Sequence, residues 1–196
     1  MISIYQFQLQ KLRQLFSKSA ATEMSGLLGG VNQGGKKIIK GAYLGHDEMP
    51  VRDIFDLMLK KGQLPVGYVV CHQEAIAPSL IKIREICSDE SLSYVTVSWA
   101  GNQPEVKAYT IVGDELKEEE VVVDATDFMA LKKNGMLTQA DDGYYSMRIK
   151  IVGGDVTVEQ WENLATLARK YGIGKVHITS RQGVEIPFVH VCDLAA

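Results

Sequence analysis

Tyr145-Ser146-Met147-Arg148-Ile149-Lys150-Ile151, closed by Val152-Gly153-Gly154, is the stretch from which the fold of the C-terminal part follows. Apolar and polar residues alternate through it, so residues 145–151 are predicted as a strand that the glycine pair ends. Residues 157–171 read as a helix. Thr157 and Gln160 have capping-box spacing, and Gly172 supplies the stop. Lys175-Val176-His177-Ile178-Thr179 then reads as a second strand, leading into Ser180-Arg181-Gln182-Gly183. Strand, helix and strand make a compact βαβ pattern. Arg148 and Lys150 are two apart, so they are expected on one strand face. Arg181, at the end of the neighbouring strand, is expected to project toward the same region.

Upstream, Thr138–Gly143 is polar and reads as a boundary. Before it, Asp127 is placed to cap a short helix running through Lys133, which Asn134–Gly135 would end. Residues 124–142 are therefore taken as a linker with a short helix. The chain then divides into residues 1–123, the linker, and residues 143–196. In the N-terminal part, helices are predicted over 5–19, 51–61 and after Ser79, and strands over 37–44, 66–71, 94–99 and 105–112. Phe7, Leu12, Leu15 and Phe16 mark the apolar side of the first helix. Gly29–Gly30, Gly34–Gly35 and Gly101–Asn102 read as turns, and the acidic run 115–120 as solvated.

With 196 residues, 46% of them hydrophobic and 23% charged, the chain suits one large domain or two modest ones and excludes disordered or collagen-like architecture. A net charge of −3 asks for no polyanion-binding surface, so no nucleic-acid partner is expected. No apolar run approaches a membrane span, and the N-terminus lacks a signal layout. Cys71, Cys87 and Cys192 are too few for an all-cysteine iron–sulfur cluster and read as reduced thiols. The expectation is a soluble, cytoplasmic protein.

The run 143–187, with Arg-x-Lys before Gly-Gly and Thr-x-Arg-Gln after the second strand, resembles the ferredoxin-like half-domain of siroheme nitrite and sulfite reductases. That resemblance assigns cofactor-binding positions to Arg148, Lys150, Arg181 and Gln182, because siroheme carries many carboxylates and its substrates are anions. Val152 stands where the family usually has proline. The plain alternative makes these residues solvated sheet positions. A full reductase has two such halves and cluster cysteines, so siroheme is implied only in a larger assembly, completed by further sequence, a reductase subunit or a homodimer.

A second resemblance rests on Glu23 before Met-Ser-Gly-Leu-Leu-Gly-Gly, then Pro65-Val66-Gly67-Tyr68-Val69-Val70-Cys71-His72, Ala77-Pro78-Ser79, a helix, and Tyr94-Val95-Thr96-Val97-Ser98-Trp99. This order is similar to the JAMM (MPN, Mov34-like) zinc isopeptidases. It implies a mixed sheet flanked by helices over residues 1–123, an α+β class for the whole chain, and matching positions at Glu23 (general base), His72 (second histidine) and Ser79 (oxyanion serine). Val70 falls at the first histidine and Lys82 at the ligand aspartate. Neither residue ligates zinc as it stands, so no zinc is expected and the site reads as a pseudoenzyme's. His46 or Glu85 would have to supply ligands for an active peptidase. The residues alone also allow a core histidine at 72, a turn cap at Glu23 and a helix N-cap at Ser79. The family's binding of ubiquitin-like tails implies a small sulfur-carrier protein as partner, and both resemblances together imply sulfur metabolism.

Overall fold

Leu9, Leu12 and Phe16 are spaced to share one side of a helix, and in the computed structural model of the protein all three are buried. The structure describes residues 1–196 except 20, 46–49, 75, 77, 87–88, 100–102 and 195–196. The expected turn at Gly101–Asn102, His46 and Cys87 lie outside the described residues. The chain divides into two units, Met1–Ala125 and Thr126–Ala196.

In the first unit the elements are β1 (Ile2–Tyr5), α1 (Gln6–Lys18), β2 (Glu23–Gln33), β3 (Lys36–Leu44), α2 (Val51–Lys60), β4 (Leu64–His72), α3 (Leu80–Ile86), β5 (Ser93–Ser98), β6 (Glu105–Val112), β7 (Glu115–Glu119) and β8 (Val121–Asp124). They form an eight-stranded sheet in the order β7-β6-β5-β4-β2-β3-β1-β8. The sheet is mixed: β1 runs parallel to β3 and β8, and β4 parallel to β5, while the other neighbours are antiparallel. The stripe of α1 packs with Ile2, Ile4, Leu28, Ile39, Val69, Cys71 and Val97 in the main core. Leu15, expected on that stripe, is 37% exposed, because the buried side runs through Leu9 instead.

Gly34 and Gly35, at φ 57° and 83°, turn β2 into β3. Gly29–Gly30 does not end a strand as expected. It lies inside β2 at a register shift. A Cβ on Gly29 would sit 2.3 Å from Oε1 of Gln63, whose buried amide accepts a hydrogen bond from the Tyr43 hydroxyl at 2.9 Å. Glycine is used there for close approach rather than for turning.

The second unit comprises α4 (Phe128–Lys133), β9 (Met136–Thr138), β10 (Tyr144–Ile149), α5 (Val158–Tyr171), β11 (His177–Ile178) and β12 (Val184–His190). Asp127 caps α4 by accepting from the amides of Met129 and Ala130, each at 3.0 Å. The capping box of α5 is formed in both directions, Gln160 N–H to Thr157 Oγ1 at 3.2 Å and Thr157 N–H to Gln160 Oε1 at 3.0 Å. The sheet order is β11-β12-β10-β9. β12, which the sequence reading left unassigned, lies antiparallel between β10 and β11, so the strands joined through α5 are parallel but not adjacent. β9 falls inside the segment taken as a linker and pairs with β10. Leu164 and Ala168 of α5 pack on Val184, Ile186 and Val189. The whole is an α+β chain with a large mixed sheet and a small second one. Among the described residues no helix is long and apolar enough to cross a membrane.

Gly29→Ala is expected to destabilise the first unit by about 1–3 kcal/mol through overpacking against Gln63. Urea unfolding checks this, and an unchanged midpoint would mean that Gln63 moves aside without cost.

Candidate functional site

β2 and β4 are antiparallel with Glu23 opposite His72, and β5 runs parallel to β4 with Ser98 beside His72. Partners across a sheet share a face, so Glu23, His72 and Ser98 form one row over three strands. His72 is 6% exposed, and its Nδ1 lies 3.6 Å from Oε2 of the exposed Glu23. On the same faces, Tyr68, four residues before His72, donates a hydrogen bond to the Oγ of Ser25, two residues after Glu23, at 2.8 Å and stacks on Tyr94. Ser25, Tyr68, Tyr94 and Ser98 were not singled out from the sequence. The period-2 alternation from Glu23 and His72 was the signal that places them on this face.

Val70 shares the His72 face and is 1% exposed, in a cluster with Ile83, Tyr94 and Ile111. The position assigned to a first histidine is thus hydrocarbon packed on hydrocarbon. Cys71 points the other way, into the main core, and burial pushes its thiol up to about 12. Ser79 is exposed, and its carbonyl accepts the Ile83 amide at 3.0 Å, which makes it the residue that starts α3. Glu85 is exposed on α3; Lys82 belongs to α3 by its backbone, and its side chain lies outside the described residues. Among the described residues no group of three or more His, Cys, Asp or Glu side chains is placed to hold a metal ion.

The basic residues of the second unit are split. Arg148 lies opposite Glu185 and is tied to its Oε1 through Nε at 2.9 Å and Nη2 at 2.8 Å. Ser146 donates to the other oxygen of Glu185 at 3.2 Å. Lys150 was expected on the strand face with Arg148; β10 ends at Ile149, so Lys150 lies just beyond it. Arg181 was expected at a strand end, but β11 stops at Ile178 and Arg181 sits in the turn leading to β12. Thr179 organises that turn: its N–H donates to Gly183 O at 2.9 Å, its Oγ1 accepts from Gly183 N–H at 3.0 Å, and its O accepts from Gln182 N–H at 3.1 Å.

Gln182 takes φ 59°, and its side chain lies against Gly154, where an added Cβ would meet its Oε1 at 3.4 Å. The two short motifs, Gly153–Gly154 and Thr179–Gly183, therefore touch in space. Lys150 and Arg181 are both exposed, and neither makes an ion pair among the described residues. Two exposed cations without an ion-pair partner among the described residues suit a carboxylate-bearing or anionic ligand.

Residues 137–196 match the family described as the nitrite/sulfite reductase ferredoxin-like half domain. Two solved structures are similar to this chain. Protein DSY2949 from Desulfitobacterium hafniense is 24% identical, with a TM-score of 0.55 over 64% of this chain and 94% of its own. A protein from Salinibacter ruber is 20% identical, with a TM-score of 0.48 over 63% of this chain and 92% of its own. The first likeness is one of fold. No curated protein matches the chain.

The buried thiol and phenol of the first unit give a pH dependence. Burial raises Cys71 from 9.0 to about 12. Burial first, then the charges of Glu23 and Tyr68, raises Tyr94 from 10.0 to about 12. The unfolded chain loses these protons from pH 9.0 upward while the folded chain keeps them to about 12, so it binds fewer protons in that window. Stability of the first unit is therefore expected to be whole below pH 9.0 and to fall as pH rises to about 12, less steeply in Cys71→Val. Urea midpoints against pH check this; equal slopes for both proteins would contradict it.

Proposed function

We propose that the protein is an accessory or binding protein of sulfur metabolism, with a metal-free JAMM-like first unit and a siroheme-reductase-type second unit. The match of residues 137–196 to the half-domain family carries this reading. Its local support is the close approach of the Gln182 side chain to Gly154, while Lys150 and Arg181 make no ion pair among the described residues.

The residues present fit a carboxylate-rich macrocycle in part. Lys150, Arg181 and Gln182 would hold carboxylates, whereas Arg148 already serves Glu185 and would hold a ligand only by leaving it. Bound siroheme would supply electron transfer to an anionic substrate. This chain's contribution is to bind and orient.

For the first unit, the support is positional. Glu23, His72 and Ser79 match the JAMM-type positions by their order in the sequence, and Glu23 and His72 are neighbours in space. Val70 takes a ligand's place with a packed isopropyl group. Such a unit would bind the Gly-Gly tail of a small sulfur-carrier protein without cleaving it. A second reading makes the chain a component of a siroheme nitrite or sulfite reductase, completed by a partner or a second copy; the family's description as a half domain favours it. A zinc isopeptidase would need ligands that Val70 does not offer.

Titrating the full chain with siroheme should give saturable binding, weakened at least about tenfold in Arg181→Ala with an unchanged thermal midpoint. Equal affinity in the variant would remove Arg181 from the site. The immobilised chain should also retain a Gly-Gly-ended sulfur carrier and release it uncut; no retention would end the carrier reading.

A further inference from the structure

Trp99 follows β5, and its indole stacks on Phe16 of α1, with ring centroids 5.4 Å apart and planes 25° from parallel. Phe16 belongs to the main core, so one face of the indole is fixed. Trp99 also walls a cavity of about 390 Å³ together with Gln6, Leu9, Gln10 and Arg13 of α1 and Gln103 before β6. This cavity is separate from the Glu23–His72 row: Trp99 packs with the main core, whereas the His72 face carries the Val70 cluster.

Three features of the lining point to a ligand. Arg13 is its charged residue among those described, is exposed, and makes no ion pair among the described residues. Nε1 of Trp99 is buried and has no hydrogen-bond partner among the described residues. An unpaired buried N–H is unfavourable, and an acceptor brought by a ligand would satisfy it. Gln6, Gln10 and Gln103 add three exposed primary amides, each able to donate and accept. Leu9 and the indole supply an apolar surface between these polar groups. Donors dominate, so the complementary molecule is flat, acceptor-rich and negatively charged. The volume lies at the low end of ligand sites, roughly 300–1,000 Å³, which admits one or two rings and not a macrocycle.

We propose that this cavity binds a small aromatic or heteroaromatic carboxylate, with its ring against Leu9 and Trp99, its carboxylate on Arg13, and its ring-edge or carboxylate acceptors on the indole N–H and the glutamine amides. The proposal is independent of the function assigned to the two units above.

The chain has two tryptophans, and Trp161 lies on α5 of the other unit. The full chain carrying Trp161→Phe therefore shows Trp99 as its one indole N–H signal in a nitrogen–proton correlation spectrum. It would be titrated with nicotinate and benzoate, and with neutral nicotinamide for comparison. The expected result is a saturable shift of the Trp99 signal by at least one carboxylate at about 1 mM or below, with nicotinamide weaker. Arg13→Gln, at an exposed helical position that tolerates glutamine, should weaken the carboxylate at least about tenfold. No saturable shift by either carboxylate up to roughly 10 mM, or equal affinity after Arg13→Gln, would overturn the proposal.

Discussion

The register of β2 against β4 decides which chemistry the first unit presents. With Glu23 opposite His72, Cys71 faces the core and Val70 and His72 face α3. A slip of one residue would turn every side chain of a strand over, setting an imidazole in the main core and a thiol beside Glu23. Glycine helps to hold this register. A Cβ on Gly26 or Gly30 would lie 2.1 Å from a carbonyl of β3, so β2 can sit this close to β3 only as it is threaded. The irregularities at Gly29 then let the strand continue past Gln63 instead of turning back.

Given that register, the face of β2, β4 and β5 divides itself. Its strand-end row is polar, with Glu23, His72 and Ser98; the next row is Ser25, Val70 and Thr96, and Tyr68 and Tyr94 lie one row further on. At the middle of that next row the Val70 side chain, packed with Ile83, Tyr94 and Ile111, offers no ligand to a dication. The same geometry leaves the polar row intact at the strand ends. The second unit follows a different constraint: β12 separates β10 from β11, which brings the ends of the β10 and β11 segments round until Gln182 meets Gly154.

Much of this was readable from sequence where a local signal was strong. The capping residues Asp127, Thr157 and Gln160 marked two helix starts, because side-chain caps act within three residues. Gly34 and Gly35 turn the β2–β3 hairpin with positive φ, as a Gly-Gly pair between strands suggests. Gly29–Gly30 misled because the same residue type serves a turn and a close contact, and the contact partner, Gln63, is distant in sequence. β8 is a four-residue strand defined by its partner β1, and β12, seven residues long, carries Pro187, which weakens its strand signal. Among the site residues, Glu23 and His72 were found and do meet, while Ser98 emerged only from the parallel pairing of β4 and β5. Arg148 was read as a free cation because Glu185, its partner, lies 37 residues on in a strand not foreseen.

The central claim is that Val70, packed in hydrocarbon beside His72, leaves this face of the sheet without a ligand set for a metal ion. Elemental analysis of the full chain, purified without a metal-affinity tag or chelator, tests it most directly. The expected result is zinc far below one ion per chain. Zinc near one per chain, held through dialysis, would contradict the claim and show that His72 has found ligands beyond those described.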